Sequence, residues 1–282
     1  MKALVIGDHG FVGRHLCPML HKAGYEVYGT EDFVRNFLPD YHSRIHYDVI
    51  VHLGANIVNV DDRMKLGMHG YDDILLDYEV CRYVELFPPT KAFIAMSSCA
   101  VDYPDDPYCI VKRTLEAFAH TLFKKGVPVV TLRPFSGYGP DQSTEYPFRA
   151  IFERAMRHEE PLTVWGGTQV RDWLWIDDLC DGIMCAIEYF PRGGVYEMGT
   201  GIGTSLLELG ERIARGVGYY PLVIGDTRRC SSSNFRVASQ RGQHQYGWMP
   251  RVSLADGIEK SVAYFRAAGR IPAVLEDAKK IV

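Results

Sequence analysis

The sequence lacks the features that take a chain into a membrane or out of a cell. Its apolar stretches stay well short of the roughly 20 residues that cross a bilayer, and Asp8 and His9 interrupt the N-terminal apolar run before a signal peptide could form. The seven cysteines are odd in number and scattered, with no C-x-x-C pair to bind zinc. We therefore expect a cytoplasmic protein with reduced thiols, no membrane association and no metal.

The sequence also lacks a surplus of either charge. Its 31 Lys and Arg residues face 35 Asp and Glu residues, the formal net charge is -4, and no run of like charges occurs. A nucleic-acid-binding protein would carry a basic patch, so this class is excluded. With 282 residues, 47% of them hydrophobic, the chain can bury a large core, and a small molecule is the expected partner.

Short apolar runs alternate with helical patterns along the first half of the chain. Continuously apolar strands are typical of a parallel sheet covered on both faces, and right-handed crossovers make such a sheet doubly wound. We therefore predict an α/β fold of the Rossmann type. The predicted strands are 3–6, 26–30, 48–53, 92–96 and 127–132, and the clearest helices are 71–86 and 108–123.

After Pro134 the pattern changes to short strands and helices, which predicts a smaller α/β substrate lobe interleaved with the end of the sheet. The predicted helices there are 146–158, 177–189, 205–216 and 253–267. The expected division gives residues 1–135 and about 172–200 to the main domain, and about 136–171 and 201–282 to the lobe.

Three glycines, Gly7, Gly10 and Gly13, lie between a predicted strand and a predicted helix. Bare backbone lets the amides at the helix N-terminus approach a pyrophosphate, so the spacing predicts a dinucleotide site. Glu31 ends the second strand, where a carboxylate accepts ribose hydroxyls and repels a 2′-phosphate, which favours NAD over NADP. A second glycine cluster, 199–203, has no such acid after it and is interpreted as a structural turn.

Tyr108 and Lys112 are one helical turn apart on the same face of a helix. A fixed ammonium favours phenolate, so a tyrosine whose isolated pKa is about 10 can exchange a proton with an alcohol near neutral pH. Ser98 follows the strand 92–96 at the carboxyl edge, where open α/β sheets bind ligands. These three residues are catalytic candidates, although the spacing alone also fits a surface tyrosine with a solvated lysine on any amphipathic helix.

Further short motifs follow one another in a fixed order over nearly the whole chain. They are His52-Leu53-Gly54-Ala55, Ser97-Ser98-Cys99-Ala100-Val101, 132–140, 167–173, Ile176-Asp177-Asp178, 196–201 and 247–250. With the glycine turn and the Tyr108/Lys112 pair, this order resembles the extended short-chain dehydrogenases/reductases, and more narrowly the NAD-dependent epimerase/dehydratase family acting on nucleotide sugars.

The resemblance implies roles that spacing alone does not assign, including a homodimer formed through helices 71–86 and 108–123. Besides the glycines, Glu31, Tyr108 and Lys112, the implied NAD contacts are His9, Phe11, Val12, Asp32, Leu53, Gly54, Ala55 and Pro134. The implied substrate contacts are Asn56, Ser98, Cys99, Phe135, Ser136, Arg171 and Arg236, with Arg228 and Arg229 as alternatives to Arg236 on the phosphate.

Three departures from the family pattern change these expectations. The segment between Glu31 and Asp48 is too short for the usual helix and third strand, so the adenine end of NAD must be held differently. The loop 102–107 is also short, which predicts a more open cleft. Ser136 replaces an asparagine, so an amide contact to substrate is lost.

Cys99 and Ala100 occupy the positions where family 4,6-dehydratases carry an acid, which argues against a dehydratase. The resemblance then implies an epimerase: Tyr108 deprotonates a sugar hydroxyl, NAD takes up a hydride, and the ketone accepts it back on the other face. Three alternatives stay open. They are an NAD(P)-dependent keto-sugar reductase, a non-catalytic cofactor-binding protein, and a chemistry assisted by Cys99, as in GDP-fucose synthases.

Overall fold

The computed structural model describes residues 1–30, 45–55, 68–103, 108–228 and 234–271. Its main sheet has six parallel strands in the order β2-β1-β3-β4-β5-β9. These strands are β1 Lys2–Ile6, β2 Glu26–Thr30, β3 Val49–His52, β4 Ala92–Met96, β5 Val129–Pro134 and β9 Val195–Met198. The predicted Rossmann-type sheet is therefore confirmed.

Seven α-helices accompany the strands in this described part of the chain. They are α1 Phe11–Lys22, α2 Met68–Leu86, α3 Tyr108–Lys124, α4 Pro147–Met156, α5 Ile176–Tyr189, α6 Leu206–Val217 and α7 Leu254–Ala267. The predicted helix positions agree within a few residues because caps mark their ends; Ser253 and Asp256 form a reciprocal capping box at the start of α7. No helix among the described residues is long and apolar enough to span a bilayer.

Both faces of the main sheet are buried, as its continuously apolar strands require. Ala3 and Val5 of β1 belong to one hydrophobic cluster, whereas Leu4 and Ile6 belong to another on the opposite face. Because side chains alternate along a strand, two separate cores mean that helices cover the sheet on each side.

Within the described residues, β2 forms one edge of the main sheet, so no third strand lies outside it. The chain order reverses at β1, whose neighbours are β2 and β3. In open α/β sheets the crevice at such a reversal is the ligand site. The glycine turn lies at this crevice.

The C-terminal half adds two smaller sheets whose strands the sequence shows only in part. One has the order β10-β8-β12 with β6 paired to β8, and the other pairs β11 with β7. Their bounds are β6 Ser136–Tyr138, β7 Leu162–Trp165, β8 Val170–Trp175, β10 Gly203–Ser205, β11 Val223–Asp226 and β12 Phe235–Arg236. The division into a main domain and a lobe stays a prediction.

His15 joins α1 to two carboxylates of the C-terminal half. Its Nε2 lies 3.1 Å from Asp141 Oδ1, and its Nδ1 lies 3.3 Å from Asp177 Oδ1. Hydrogen bonds to Asp141 and then Asp177 outweigh desolvation and raise the pKa of His15 from 6.5 to about 9. The folded protein therefore retains a proton that the unfolded chain releases at lower pH.

We expect this stabilisation to be complete below pH 6.5 and to be lost as the pH rises through 9, since the pKa of the folded state is the raised one. His15→Asn should lower the free energy of unfolding more at pH 6.5 than at pH 9.5, by on the order of 1–2 kcal/mol. Urea denaturation at both pH values measures this difference, with His21→Asn on the same helix as control. An equal loss at both values would contradict it.

Candidate active site

The glycine turn follows β1. Gly7 has a φ of +88°, a left-handed conformation that favours glycine. A Cβ on Gly13 would lie 2.3 Å from Gly7 O and 2.5 Å from Asp8 O, so α1 can begin here only because residue 13 is glycine. Gly10 caps α1 without a side-chain hydrogen bond, and the first turn holds no acid. The helix amides and dipole therefore fit a pyrophosphate, as NAD binding requires.

Only some of the other predicted cofactor contacts near the turn lie among the described residues. His9 is exposed, whereas Phe11 and Val12 are half-buried at the start of α1. Glu31 and Asp32 lie outside the described residues, as does Asn56 of the predicted substrate set. Their roles stay predictions.

The segment His52-Leu53-Gly54-Ala55 lies beside the glycine turn. A Cβ on Gly7 would be 3.0 Å from Gly54 N, so the two loops touch at the sheet reversal. His52 is 1% exposed, and its Nε2 lies 2.7 Å from Oδ1 of the buried Asp77. The histidine is thus a buried group that is paired with a buried carboxylate.

Tyr108 and Lys112 occupy the first two turns of α3. Lys112 is buried, its Nζ donates to Met96 O at 3.2 Å, and its Nζ lies 5.5 Å from the centre of the Tyr108 ring. Burial lowers the pKa of Lys112, but Tyr108 and then Asp77 and Asp73 outweigh it, so the pKa is raised. The ammonium is therefore held charged beside the phenol and at the carboxyl end of β4.

Ser98 follows β4 and caps a short 3-10 helix, Cys99–Asp102, by accepting a hydrogen bond from Ala100 N at 3.1 Å. This helix is held against α3, because Arg113 Nε donates to Val101 O at 2.8 Å. Cys99 begins the helix and is buried. Ser98 and the Lys112 ammonium thus both lie at the carboxyl end of β4, Ser98 because it follows the strand and Lys112 through its hydrogen bond to Met96 O.

The segment after β5 supplies the next predicted contacts. Pro134 ends β5, Phe135 N donates to Met198 O at 3.1 Å, and Ser136 begins β6. All three side chains are half-buried. They lie at the same carboxyl edge of the sheet as Ser98.

Arg171 and Arg236 are paired across the neighbouring parallel strands β8 and β12. Paired positions share a face, so both side chains leave the sheet on one side, and Arg171 Nη1 donates to Val170 O at 2.9 Å. Arg236 is buried and its guanidinium carbon lies 4.8 Å from the centre of the Tyr103 ring, directly after the 3-10 helix that Ser98 caps. The two predicted phosphate arginines therefore come together.

Arg228 is not brought to this pair. Its side chain is 88% exposed and forms an ion pair with Asp226 at 2.9 Å. Arg229 lies outside the described residues. Among the described alternatives, Arg236 is thus the one that joins Arg171.

Asp172 has a role that the sequence does not reveal. It is fully buried and accepts hydrogen bonds from Thr200 N, Gly201 N and Ala238 N, at 2.9, 2.8 and 3.2 Å. It thereby fixes the glycine cluster 199–203 as a structural turn and holds β12 beside β8. The sequence signal for this role is an acid directly after Arg171, a predicted phosphate ligand. The signal does not identify the partners of the acid, because they are distant in sequence.

The fold and this site define an oxidoreductase of the extended short-chain dehydrogenase/reductase class, with a Rossmann sheet, a dinucleotide turn and a Tyr-Lys pair. The model of the NAD dependent epimerase/dehydratase family matches residues 3–199. The chain belongs to this family. NAD is accordingly its cofactor, as predicted.

Similar proteins cover almost the whole chain. UDP-glucose 4-epimerase from Mycolicibacterium smegmatis is 26% identical over 94% of this chain and 99% of its own. The crystal structure of UDP-glucuronic acid 4-epimerase from Bacillus cereus, in complex with UDP-glucuronic acid and NAD, has a TM-score of 0.82 at 25% identity, covering 95% of this chain and 100% of that one. A dTDP-glucose 4,6-dehydratase from Actinoplanes is 30% identical over only 58% of this chain and 52% of its own. Epimerases thus match more completely than this dehydratase.

Proposed function

We propose that the protein is an NAD-dependent epimerase of a nucleotide sugar, in which a sugar hydroxyl is transiently oxidised to a ketone. The observation that carries this proposal is the Tyr108/Lys112 pair, whose ammonium is buried and bonded to Met96 O at the edge of the sheet that also holds the glycine turn. A protein that only binds the cofactor could use the ammonium for the ribose, but it has no need of a phenol beside that ammonium.

The residues at this edge of the sheet have different roles in the proposed reaction, according to their positions. Tyr108 removes and returns the proton of the sugar hydroxyl, and Ser98 holds the same oxygen. Lys112 keeps its charge beside the phenol and bonds the ribose next to the nicotinamide. NAD, when bound, takes up and returns a hydride. Because no proton or hydride is lost over a full cycle, no added reductant is needed.

The nucleotide end of the substrate has a separate cleft in this proposal. A cavity of about 690 Å³ is lined by none of the proposed catalytic residues; its lining is Arg154, Arg157, Glu159, Thr163, Trp165, Asp226 and Arg228. Arginine and indole groups suit a nucleotide, which would here displace the ion pairs of the arginines with Glu159 and Asp226 and the contact of Arg154 with the Trp165 ring. With Arg171 and Arg236 on the diphosphate, the substrate would extend from this cleft to Tyr108.

Incubation with UDP- and dTDP-sugars, without added reductant, tests the proposed reaction. We expect each accepted sugar to equilibrate with a stereoisomer while the total NADH stays constant. Net oxidation of added NADH or NADPH with formation of a reduced sugar would instead identify a keto-sugar reductase. Retention of NAD without turnover of any sugar would identify a non-catalytic binding protein.

We further propose that the protein is a homodimer formed through α2 and α3. Tyr71, Leu75 and Tyr78 recur at helical spacing on α2, and their side chains are 67%, 50% and 47% exposed. Three large apolar groups on one helix face suit burial against a second copy. Sedimentation should give a dimer for the wild-type protein and a monomer for Leu75→Arg. Leu222→Arg, at another exposed leucine, should stay dimeric; a wild-type monomer would contradict the proposal.

A further inference from the structure

The glycine turn contains an acid, Asp8, whose carboxylate lies against β2. A Cβ added to Gly29 of β2 would lie 1.8 Å from Asp8 Oδ2 and 2.3 Å from Asp8 Cγ. The carboxylate can therefore occupy this position against β2 only because residue 29 is glycine. Because it lies over β2, the carboxylate leaves the first-turn amides of α1 to the pyrophosphate.

One oxygen of this carboxylate is buried without a donor. Asp8 Oδ1 accepts no hydrogen bond from the described residues, and His9 Nδ1 lies 3.5 Å away. The side chain of Asp8 as a whole is 17% exposed, so the carboxylate lies near the surface although Oδ1 itself is covered. An unsatisfied buried acceptor is costly, which is why such atoms in native structures call for a partner. A ligand hydroxyl would supply that partner.

The position of Asp8 identifies the hydroxyl groups. It lies between the carboxyl halves of β1 and β2, at the sheet reversal, and in folds of this kind the adenosine ribose of a dinucleotide binds there. A ribose offers two adjacent hydroxyl donors, which one carboxylate can accept together. A 2′-phosphate at the same place would put a second anion against Asp8.

We propose that Asp8, in addition to the predicted acid Glu31, is a specificity-determining residue that accepts the adenosine ribose hydroxyls of NAD and excludes the 2′-phosphate of NADP. Gly29 is then its positioning residue. The proposal rests on NAD binding to the glycine turn but not on the reaction. It gives the adenine end of the cofactor a contact that belongs to the turn itself and is independent of the shortened segment after β2.

Binding of adenosine diphosphate ribose and of its 2′-phosphate, measured by calorimetry on the cofactor-free protein, tests this proposal away from Tyr108 and Lys112. For Asp8→Asn we expect about tenfold weaker binding of the first ligand and about tenfold tighter binding of the second. Glu26→Gln is the matched control, since it removes one charge from the other end of β2. Its ratio of dissociation constants should equal that of the wild type.

A double-mutant-type cycle, in which NAD lacking the adenosine 2′-hydroxyl is the second variant, distinguishes a direct contact of Asp8 with that hydroxyl from a general effect of the Asp8 charge. The wild-type protein should bind this analogue about tenfold more weakly than NAD, whereas Asp8→Asn should bind both alike. Gly29→Ala, which displaces the carboxylate without removing its charge, should also lose the preference for NAD while its thermal unfolding confirms that it folds. An unchanged ratio of dissociation constants in both variants would overturn the proposal, even if epimerase activity were found.

Discussion

Replacement of Tyr108 by phenylalanine should reduce turnover of the accepted nucleotide sugar by about 10²–10⁴-fold, which is the usual contribution of a general acid-base group. The substitution removes one oxygen and leaves the ring in place. Lys112 stays buried and bonded to Met96 O, so the local fold is unchanged. The turnover rate falls because proton transfer is lost. The dissociation constant for NAD should remain within a few-fold of the wild-type value.

Single-turnover rates of sugar oxidation, together with NAD titration, distinguish this role from a structural one. Tyr189→Phe removes a hydroxyl from a side chain that is 69% exposed at the end of α5, so it should keep the wild-type rate. Undiminished turnover in Tyr108→Phe would contradict the proposed chemistry. Parallel loss of NAD binding would instead show that the Tyr108 hydroxyl is needed to hold the cofactor.

The local parts of the site could be predicted from the sequence because their signals are local. Glycines at 7, 10 and 13 fall between an apolar strand and a helical pattern, and the structure gives each a steric reason. Tyr108 and Lys112 are one turn apart, so a helix alone brings them together. The Rossmann sheet follows equally directly from strands that are apolar on both faces.

The parts that depend on contacts between distant segments could not be predicted in this way. Arg171 and Arg236 meet only because β12 pairs with β8, and β12 is two residues long. Asp172 fixes the turn at Thr200 through backbone amides that no motif marks. The position of Asp8 over Gly29 likewise depends on the pairing of β1 with β2.

The pairing of Arg171 with Arg236 leads to the second large effect, which concerns binding of the substrate diphosphate. Two guanidinium groups on one face provide several N–H donors in the forked geometry that suits phosphate oxygens. Arg171→Ala should therefore raise the dissociation constant for UDP by about 100-fold, the typical cost of removing one member of a buried charge pair. Arg171→Lys should restore only part of this loss, because an ammonium lacks the fork.

Calorimetry with UDP and with uridine separates the diphosphate from the nucleoside. We expect weak uridine binding to be the same in the wild type, Arg171→Ala and Arg236→Met, because uridine has no phosphate for the arginines to hold. Arg212→Ala, which removes an exposed guanidinium paired with Glu208 on α6, is the control for net charge. If both arginines hold one diphosphate, the double variant should lose less than the sum of the two single losses in binding free energy. Unchanged UDP affinity in Arg171→Ala would remove the arginine pair from the substrate site and leave the cleft at Trp165 to hold the nucleotide alone.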